Sequence, residues 1–407
     1  MLVICLGMML LSVHVTEAAE NGYPQLEISA TGNSKGTTVH WFTEGFPRAS
    51  DYPGVESIGY EVEIAKKADF ANAQTIHADK DTWNATIPRK QFGAEGGKLY
   101  ARVRFAATME NGETEYGKWS DVKELVFVKI SKKNFPGMYK TLKQGDGEHY
   151  SDAEWKKLIN GQPAKAQKYQ YDKNKDGWLD QEEIDWLYSL DTKDTKVSSL
   201  QGIEYFTHLS SISLAQFSGT KIDLTKNKVS YVNVRGITSK KIKVIAPEAK
   251  SVFIEADYWK NQLSEIDVSS CDSVEKLNVE NWNPVVKNIK LPKEKKKITE
   301  LSIRGFCGST LNVNAYTKLV ELSILGCKNS KIKLDKCKQL KYLYFYACSN
   351  IRSLDLTKNT KLKYVDFYGC SKISLNAVKR PKNTKATTGK GCYWWSTKAY
   401  RKDMGQS

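Results

Sequence analysis

The most regular signal in the chain is an apolar pattern that returns every 20–25 residues through its second half. Each unit places apolar side chains at its first, fourth and sixth positions. The series runs Leu209/Ile212/Leu214, Val229/Val232/Val234, Ala249/Val252/Ile254 and Val274/Leu277/Val279. It continues through Ile298/Leu301/Ile303, Leu319/Leu322/Ile324, Leu340/Leu343/Phe345 and Leu362/Val365/Phe367. A second apolar pair closes many units, as at Ile222/Leu224 and Ile332/Leu334, and Leu187/Leu190 stand one period earlier. A unit this short buries its apolar stripe only against the next copy. The pattern therefore predicts a solenoid over 187–378, about nine stacked rungs each giving one parallel strand at roughly 4.8 Å spacing. The ninth position is expected to turn inward. It holds Cys327, Cys348 and Cys370 in consecutive units, and Phe217, Ile237, Asp257, Trp282 and Phe306 before them.

Alternation along each strand puts the third, fifth and seventh positions on one outer, concave face. In the last two complete units those positions are Tyr342, Tyr344, Tyr346, Tyr364, Asp366 and Tyr368. Tyrosine offers large contact area at low entropic cost, so this cluster is the candidate ligand face. A protein ligand is the partner expected there.

From about residue 24 to 129 the pattern changes to short alternating runs divided by Gly, Asn, Asp and Pro, among them 37–41, 60–65, 98–107 and 124–128. This predicts an antiparallel β-sandwich with Trp41 inside. The run Tyr100–Ala101–Arg102–Val103–Arg104 and the later Tyr116–Gly117–Lys118–Trp119–Ser120 resemble strands of fibronectin type III domains. That resemblance implies a spacer or adhesion module without catalytic apparatus.

Between the two lies a connector, 130–186, with a short helix expected from the capping pattern Ser151–Asp152–Ala153–Glu154 and the apolar Trp155, Leu158 and Ile159. Residues 172–183 match the EF-hand calcium loop: Asp172, Asn174 and Asp176 alternate, and Gly177 allows the sharp turn. Trp178 would give its carbonyl, Asp180 would bind directly or through water, and Glu183 would close the site with both oxygens. The competing reading is an Asp/Asn-rich turn before a helix, which accounts for Asp180 and Glu183 but not for the full spacing. Calcium is the cofactor expected. One loop alone argues for stiffening rather than switching.

The repeat sections, such as 351–370, together with an acidic loop before the first repeat, resemble secreted bacterial leucine-rich-repeat proteins of the internalin-like kind. The resemblance implies a mainly β multidomain protein: a fibronectin type III-like sandwich, an EF-hand-like segment, and a leucine-rich-repeat solenoid. Residues 1–18 form an apolar run ending in small residues, read as a signal peptide, and 379–407 are read as a cap and polar tail. A secreted protein, free or held at the cell surface, is expected, with no membrane span.

Charge sharpens this. The chain carries +16 overall, but residues 281–407 hold 27 Lys/Arg against 7 Asp/Glu. Lys331, Lys333, Lys336, Lys338, Lys358 and Lys361 cluster in the return segments, a flank suited to an anionic wall polymer or glycan. Nothing resembles a nucleic-acid fold. Removing a signal leaves seven cysteines, so at least one is unpaired, and mostly free thiols are expected. No P-loop, G-x-S-x-G or zinc-spaced Cys/His set occurs. Cys307–Gly308–Ser309 is followed by Thr310, and all five histidines lie upstream, so no catalytic residue is assigned.

Overall fold

The computed structural model describes residues 22–388 except 150–151, 166, 194, 261, 294–296 and 329–330. The expected signal segment, Ser151, the Trp155 side chain and the tail past 388 lie outside the described residues. The chain divides into two compact units, Met1–Lys129 with Trp178–Glu183, and Ile130–Gly177 with Ile184–Ser407.

In the first unit Glu27–Asn33, Gly36–Phe42 and Asn84–Pro88 form one antiparallel sheet. Gln74–Asp79, Val55–Ala65, Gly96–Met109 and Lys123–Lys129 form the other, in that spatial order. The alternating residues of both sheets meet in a single core containing Trp41, Tyr60, Val62, Val103, Phe105 and Phe127. On the opposite face of Gly96–Met109 two arginines interleave with rings. Arg102 lies 4.2 Å from the rings of Phe70 and Trp119; Arg104 lies 3.6 Å from Tyr116 and 4.3 Å from Trp119. Glu63 and Glu61 hold the two guanidinium groups at 2.6 Å. Ser120 fixes the segment bearing Trp119, its N–H donating to the Val103 carbonyl at 2.8 Å and its Oγ accepting the Val103 N–H at 3.0 Å.

One part of the expected connector belongs to this unit. Trp178–Leu179 pairs antiparallel with Lys129 and Val128 as an added edge strand, and Gln181 Oε1 accepts the Val126 N–H at 2.7 Å. Burial of Trp178 against Phe127 and under Arg89, 3.9 Å from its ring, supplies the reason.

The second unit is a parallel β-solenoid. Its main sheet has ten strands, from Ser189–Thr192 through Ser211–Leu214 to Tyr364–Tyr368 and Lys385–Thr387. Leu190, Ile212, Val232, Val252, Leu277 and Leu301 stand in one register row, continued by Leu322, Leu343 and Val365. These are the fourth-position residues of the repeat, all fully or almost fully buried. The array extends past the expected limit at 378, because Lys385–Thr387 pairs with Tyr364–Asp366. On the return side Lys221–Asp223, Lys241–Ile245, Glu265–Ser270 and Asn288–Lys290 form a four-stranded parallel sheet. Thr310–Asn312 with Lys331–Lys333 make a separate pair.

The segment after residue 130 is not a polar connector but the start of this core. Phe135, Met138 and Leu142 are buried, and Phe135 stacks on Phe206 at 5.9 Å and 5°. Gly202, with φ +92°, is required here, since a Cβ would meet the Phe135 ring at 2.4 Å. The expected helix forms as Asp152–Ile159, with Leu158 and Ile159 exposed.

Polar side chains inside the solenoid add hydrogen bonds to buried backbone carbonyls, several of which also accept a backbone N–H. Cys327 Sγ donates to the Ile303 and Leu325 carbonyls at 3.6 and 3.3 Å, and Cys348 Sγ to those of Ile324 and Tyr346 at 3.2 and 3.5 Å. Cys370 repeats the arrangement on Phe345. Among the described residues six cysteines are free thiols, five of them buried. Asn227 and Asn359 do the same work on the return side. Asn359 Nδ2 donates to the Leu334 and Cys337 carbonyls, both at 3.0 Å. Asn359→Leu keeps the volume and removes two buried hydrogen bonds, while the Leu334 and Cys337 carbonyls keep the backbone N–H groups of Cys337 and Leu340. We expect a loss of roughly 1–2 kcal/mol, read as a lower urea midpoint at unchanged slope.

Candidate functional site

The outer face of the main sheet carries the third, fifth and seventh positions in straight columns. Glu300, Glu321, Tyr342 and Tyr364 occupy one column, and Arg304, Leu325, Tyr346 and Tyr368 another. The tyrosine cluster expected as the ligand face is present, but much of it is closed. Tyr342 is 4% exposed, Tyr344 8% and Asp366 6%. The rings cover one another: Tyr342 and Tyr344 pack with Val320 and Tyr364, the last 6.2 Å from Tyr344. The added strand also covers them, as Thr387 Oγ1 donates to Asp366 Oδ1 at 2.6 Å and meets Tyr364 Oη at 3.0 Å. Burial, opposed by these bonds, raises the Asp366 carboxyl above its ordinary value. Tyr346 and Tyr368 stay half-buried, stacked at 4.9 Å and 14°.

The exposed aromatic surface lies further back along the array. Tyr258 is 58% exposed, Trp259 88% and Trp282 46%. Tyr258 sits 5.0 Å from Trp259 and 5.9 Å from Trp282. The Arg304 guanidinium lies 4.1 Å from the Trp282 ring, whose Nε1 donates to Glu255 Oε1 at 3.5 Å. This corrects the expectation that Asp257 and Trp282 turn inward at the ninth position. In most rungs the eighth residue is left-handed: Gly236 (φ +59°), Gly305 (+78°), Gly326 (+57°), Ala347 (+51°) and Gly369 (+68°). That conformation inserts an extra step, a bulge, and points the ninth side chain inward. Three rungs lack it, with Gln216, Ala256 and Asn281 at the eighth position. After Gln216 the ninth side chain, Phe217, is still buried; in the other two the eighth residue itself is buried and the ninth swings outward. A missing glycine alone therefore does not mark Trp282 as exposed.

Between these two zones the face has a depression of about 290 Å3 lined by Tyr231, Phe253, Lys276, Asn278, Glu300 and Glu321. Lys276 pairs with Glu300 at 2.8 Å, and Glu321 Oε2 is buried without a hydrogen-bond partner. Burial, then the Glu300 charge, raise the Glu321 pKa to about 7, with Lys276 opposing.

The flank lysines are exposed on the return segments, as the sequence suggested. Lys331 and Lys333 alternate on one short strand. Lys338 Nζ donates to the Lys358 carbonyl at 2.8 Å, and Lys361 Nζ to Gln339 Oε1 at 2.7 Å, so these two span neighbouring rungs. Lys358 approaches Asp335 at 4.0 Å, while the Lys336 backbone N–H donates to Asn314 Oδ1 at 3.2 Å and its carbonyl accepts the Lys338 N–H at 2.9 Å.

The halves of the 172–183 loop fall in different units. In the first half Asp172 accepts the N–H groups of Asp176 and Gly177 at 3.1 and 2.9 Å, and Asn174 Oδ1 accepts that of Asp176 at 2.9 Å. Burial, partly offset by the Gly177 bond, raises the Asp172 carboxyl. In the second half Asp180 Oδ1 accepts the Glu183 N–H at 3.0 Å, and Glu183 Oε2 accepts the Asp180 N–H at 3.2 Å. This is a capping box on the helix Gln181–Asp185. A strand, Gln167–Tyr169, rather than a helix precedes the loop. Among the described residues no three His, Cys, Asp or Glu side chains are gathered as a metal-binding group. No helix among them is long and apolar enough to cross a membrane.

No protein-family model matches the chain, and no curated protein matches it. Among solved structures it is similar to internalin C2 from Listeria monocytogenes, at 15% identity and TM-score 0.39, covering 63% of this chain and 96% of that one. It is also similar to the functional domain of InlJ from Listeria monocytogenes, which includes a cysteine ladder. That match has 15% identity and TM-score 0.20, over 64% of this chain and 70% of the other.

The Glu321 geometry sets a pH dependence. An acid whose pKa is higher folded than unfolded stabilises the fold when protonated, and that contribution fades as pH rises through about 7. Glu321→Gln removes the charged form. Its melting temperature should exceed the parent's by roughly 2–5 °C at high pH and converge with it under acid conditions. An equal difference at both pH values would show that charge is not the cause.

Proposed function

We propose that this chain is a secreted, non-catalytic interaction protein that binds a protein ligand on the outer face of its solenoid. The observation that carries the reading is the exposed cluster Tyr258, Trp259 and Trp282 with Arg304 beside it. Exposing three large rings together is unfavourable in water, and aromatic residues with arginine are the composition of protein-interface hot spots. Arg304, Leu325, Tyr346 and Tyr368 share one column, so the cluster continues as a strip toward the end of the array. In this reading the first unit is a fibronectin type III-like spacer; its two antiparallel sheets, of three and six strands, support that role.

The test compares capture of cell-surface proteins by the full chain and by a Trp259→Ser/Trp282→Ser variant. Both substitutions are on exposed side chains and should leave the fold intact. We expect the specifically captured ligand to fall by about tenfold or more, with wild-type capture resisting added salt. An unchanged ligand set would sink the proposal. Tyr344→Ala is a poor probe, because it removes a buried ring.

The second proposal is a structural calcium ion held by Asp172, Asn174, Asp176, the Trp178 carbonyl, Asp180 and Glu183. Its support is the all-oxygen donor set at the EF-hand spacing. Calcium would have to displace the Asp180–Glu183 capping bonds, and it would supply rigidity rather than chemistry. Calcium should raise the melting temperature and a chelator should reverse the gain, while Asp176→Ala abolishes both effects. A melting curve indifferent to chelator would overturn it.

A further inference from the structure

The return side of the solenoid contains a groove of about 790 Å3, placed where its second sheet is interrupted. The four-stranded sheet ends at Asn288–Lys290, and the next return strand, Thr310–Asn312, pairs onward with Lys331–Lys333 instead. The gap exposes an apolar floor that includes Ile289 and Leu291 over the buried Ile266, Phe306 and Leu311. Gly308 keeps the floor open, since a Cβ there would meet the Phe306 ring at 2.3 Å.

The walls are cationic. Lys221, Lys241, Lys243, Lys287 and Lys290 line the groove against two carboxylates, Glu265 and Asp267. Lys221 is paired with Asp223 at 2.9 Å and Lys290 with Asp267 at 3.7 Å. Lys241, Lys243 and Lys287 have no ion-pair partner among the described residues. Lys221, Lys243, Asp267 and Lys290 form one register column, so charges succeed one another at the rung spacing of about 4.8 Å. The remaining wall is hydroxyl and amide: Thr220, Asn288, Ser309, Thr310 and Asn312.

We propose that this groove binds a linear acidic polysaccharide, a pyranose chain bearing carboxylate or sulfate groups. The surplus of unpaired ammonium groups selects an anion. The column Lys221, Lys243, Asp267 and Lys290 advances per rung by close to the rise of one sugar in an extended chain. The apolar floor suits the C–H faces of pyranose rings, and the hydroxyl and amide wall suits their hydroxyl groups. A nucleic acid would need exposed rings for base stacking, and the one ring here, Phe306, is buried. The site is separate from the aromatic strip; its wall residues Thr310 and Asn312 pair with Lys331 and Lys333, so the flank begins on the next rung, and Lys358 and Lys361 lie further along the array.

The experiment is calorimetric titration of the full chain with heparin and galacturonate hexasaccharides. Polyphosphate of matched charge and a neutral dextran oligomer serve as comparisons. We expect one of the acidic hexasaccharides to bind, more weakly as salt rises, and both comparisons to bind at least about tenfold more weakly. Lys241→Ala/Lys243→Ala/Lys287→Ala should lose about tenfold or more in affinity with its melting temperature unchanged. Lys358→Ala/Lys361→Ala and Trp259→Ser/Trp282→Ser should stay within about twofold. Three results would each overturn the assignment: no binding of either acidic hexasaccharide, polyphosphate binding as tightly as the sugar, or equal losses in the groove and flank variants. None of them bears on the protein-ligand reading.

Discussion

Everything in the solenoid depends on one constraint: parallel strands stack with equivalent residues in register. Because side chains alternate along a strand, the register decides for each position whether it lies in a dry interior or in water. Leu190, Ile212, Val232 and their successors form a continuous buried row only because each rung enters in the same phase. A local change of one residue in that phase exchanges inside for outside. Two of the three rungs that lack a left-handed residue at the eighth position make this visible. Ala256 and Asn281 move into the core, and Trp282 is turned out to the surface. The candidate interaction surface is thus a product of backbone conformation as much as of side-chain choice.

Filling the interior raises a second requirement. Irregular turns leave backbone carbonyls inside, and each needs a donor. Backbone N–H groups meet several of them, and cysteine and asparagine at the inward turn positions add a further donor. The thiols of Cys327, Cys348 and Cys370 reach back to the previous rung's strand while occupying apolar space. Burial pushes the thiols of Cys271 and Cys337 up to about 12, so they stay protonated as donors and are poor nucleophiles. The ladder is in this sense a hydrogen-bonding device. Its Sγ-to-carbonyl contacts link successive rungs without any covalent bond.

Much of this was legible in the sequence, and the failures are instructive. The repeat fixed the strand positions, the register rows and the thiol ladder, because each depends on a short-range pattern confirmed eight times over. The alternating runs of 24–129 marked the sandwich strands and the inward Trp41 in the same way. What periodicity could not show was whether an outward position is exposed. Tyr342 and Tyr344 are outward by phase yet buried, because large neighbours on adjacent rungs close over them. The role of Phe135 was hidden because its partner, Phe206, lies about seventy residues on, beyond any local pattern. The bonds of Trp178, Leu179 and Gln181 to the strand Lys123–Lys129 were hidden for the same reason, since that strand lies about fifty residues back.

The positive charge takes on meaning from the same stacking. A parallel ladder sets residues 20–25 apart in sequence into adjacent rungs, so like residues at one repeat position become neighbours about 4.8 Å apart. Like charges so placed repel, and the array relieves this in three ways. Opposite charges alternate down a column, as Lys276 does with Glu300 and as Asp267 does between Lys243 and Lys290. An ammonium group can reach a carbonyl on the next rung, as Lys338 does on Lys358. Where neither happens, solvent must screen the charge or a proton must neutralise it. Glu321 follows Glu300 in the same column with no donor on its inner oxygen, and burial then pushes its pKa up to about 7. Lys241, Lys243 and Lys287 line an open groove without an ion-pair partner among the described residues. The same stacking that buries one carboxylate beside another thus gathers ammonium groups around one groove of the return side, which makes that groove, rather than the tyrosine face, the place proposed for an anion.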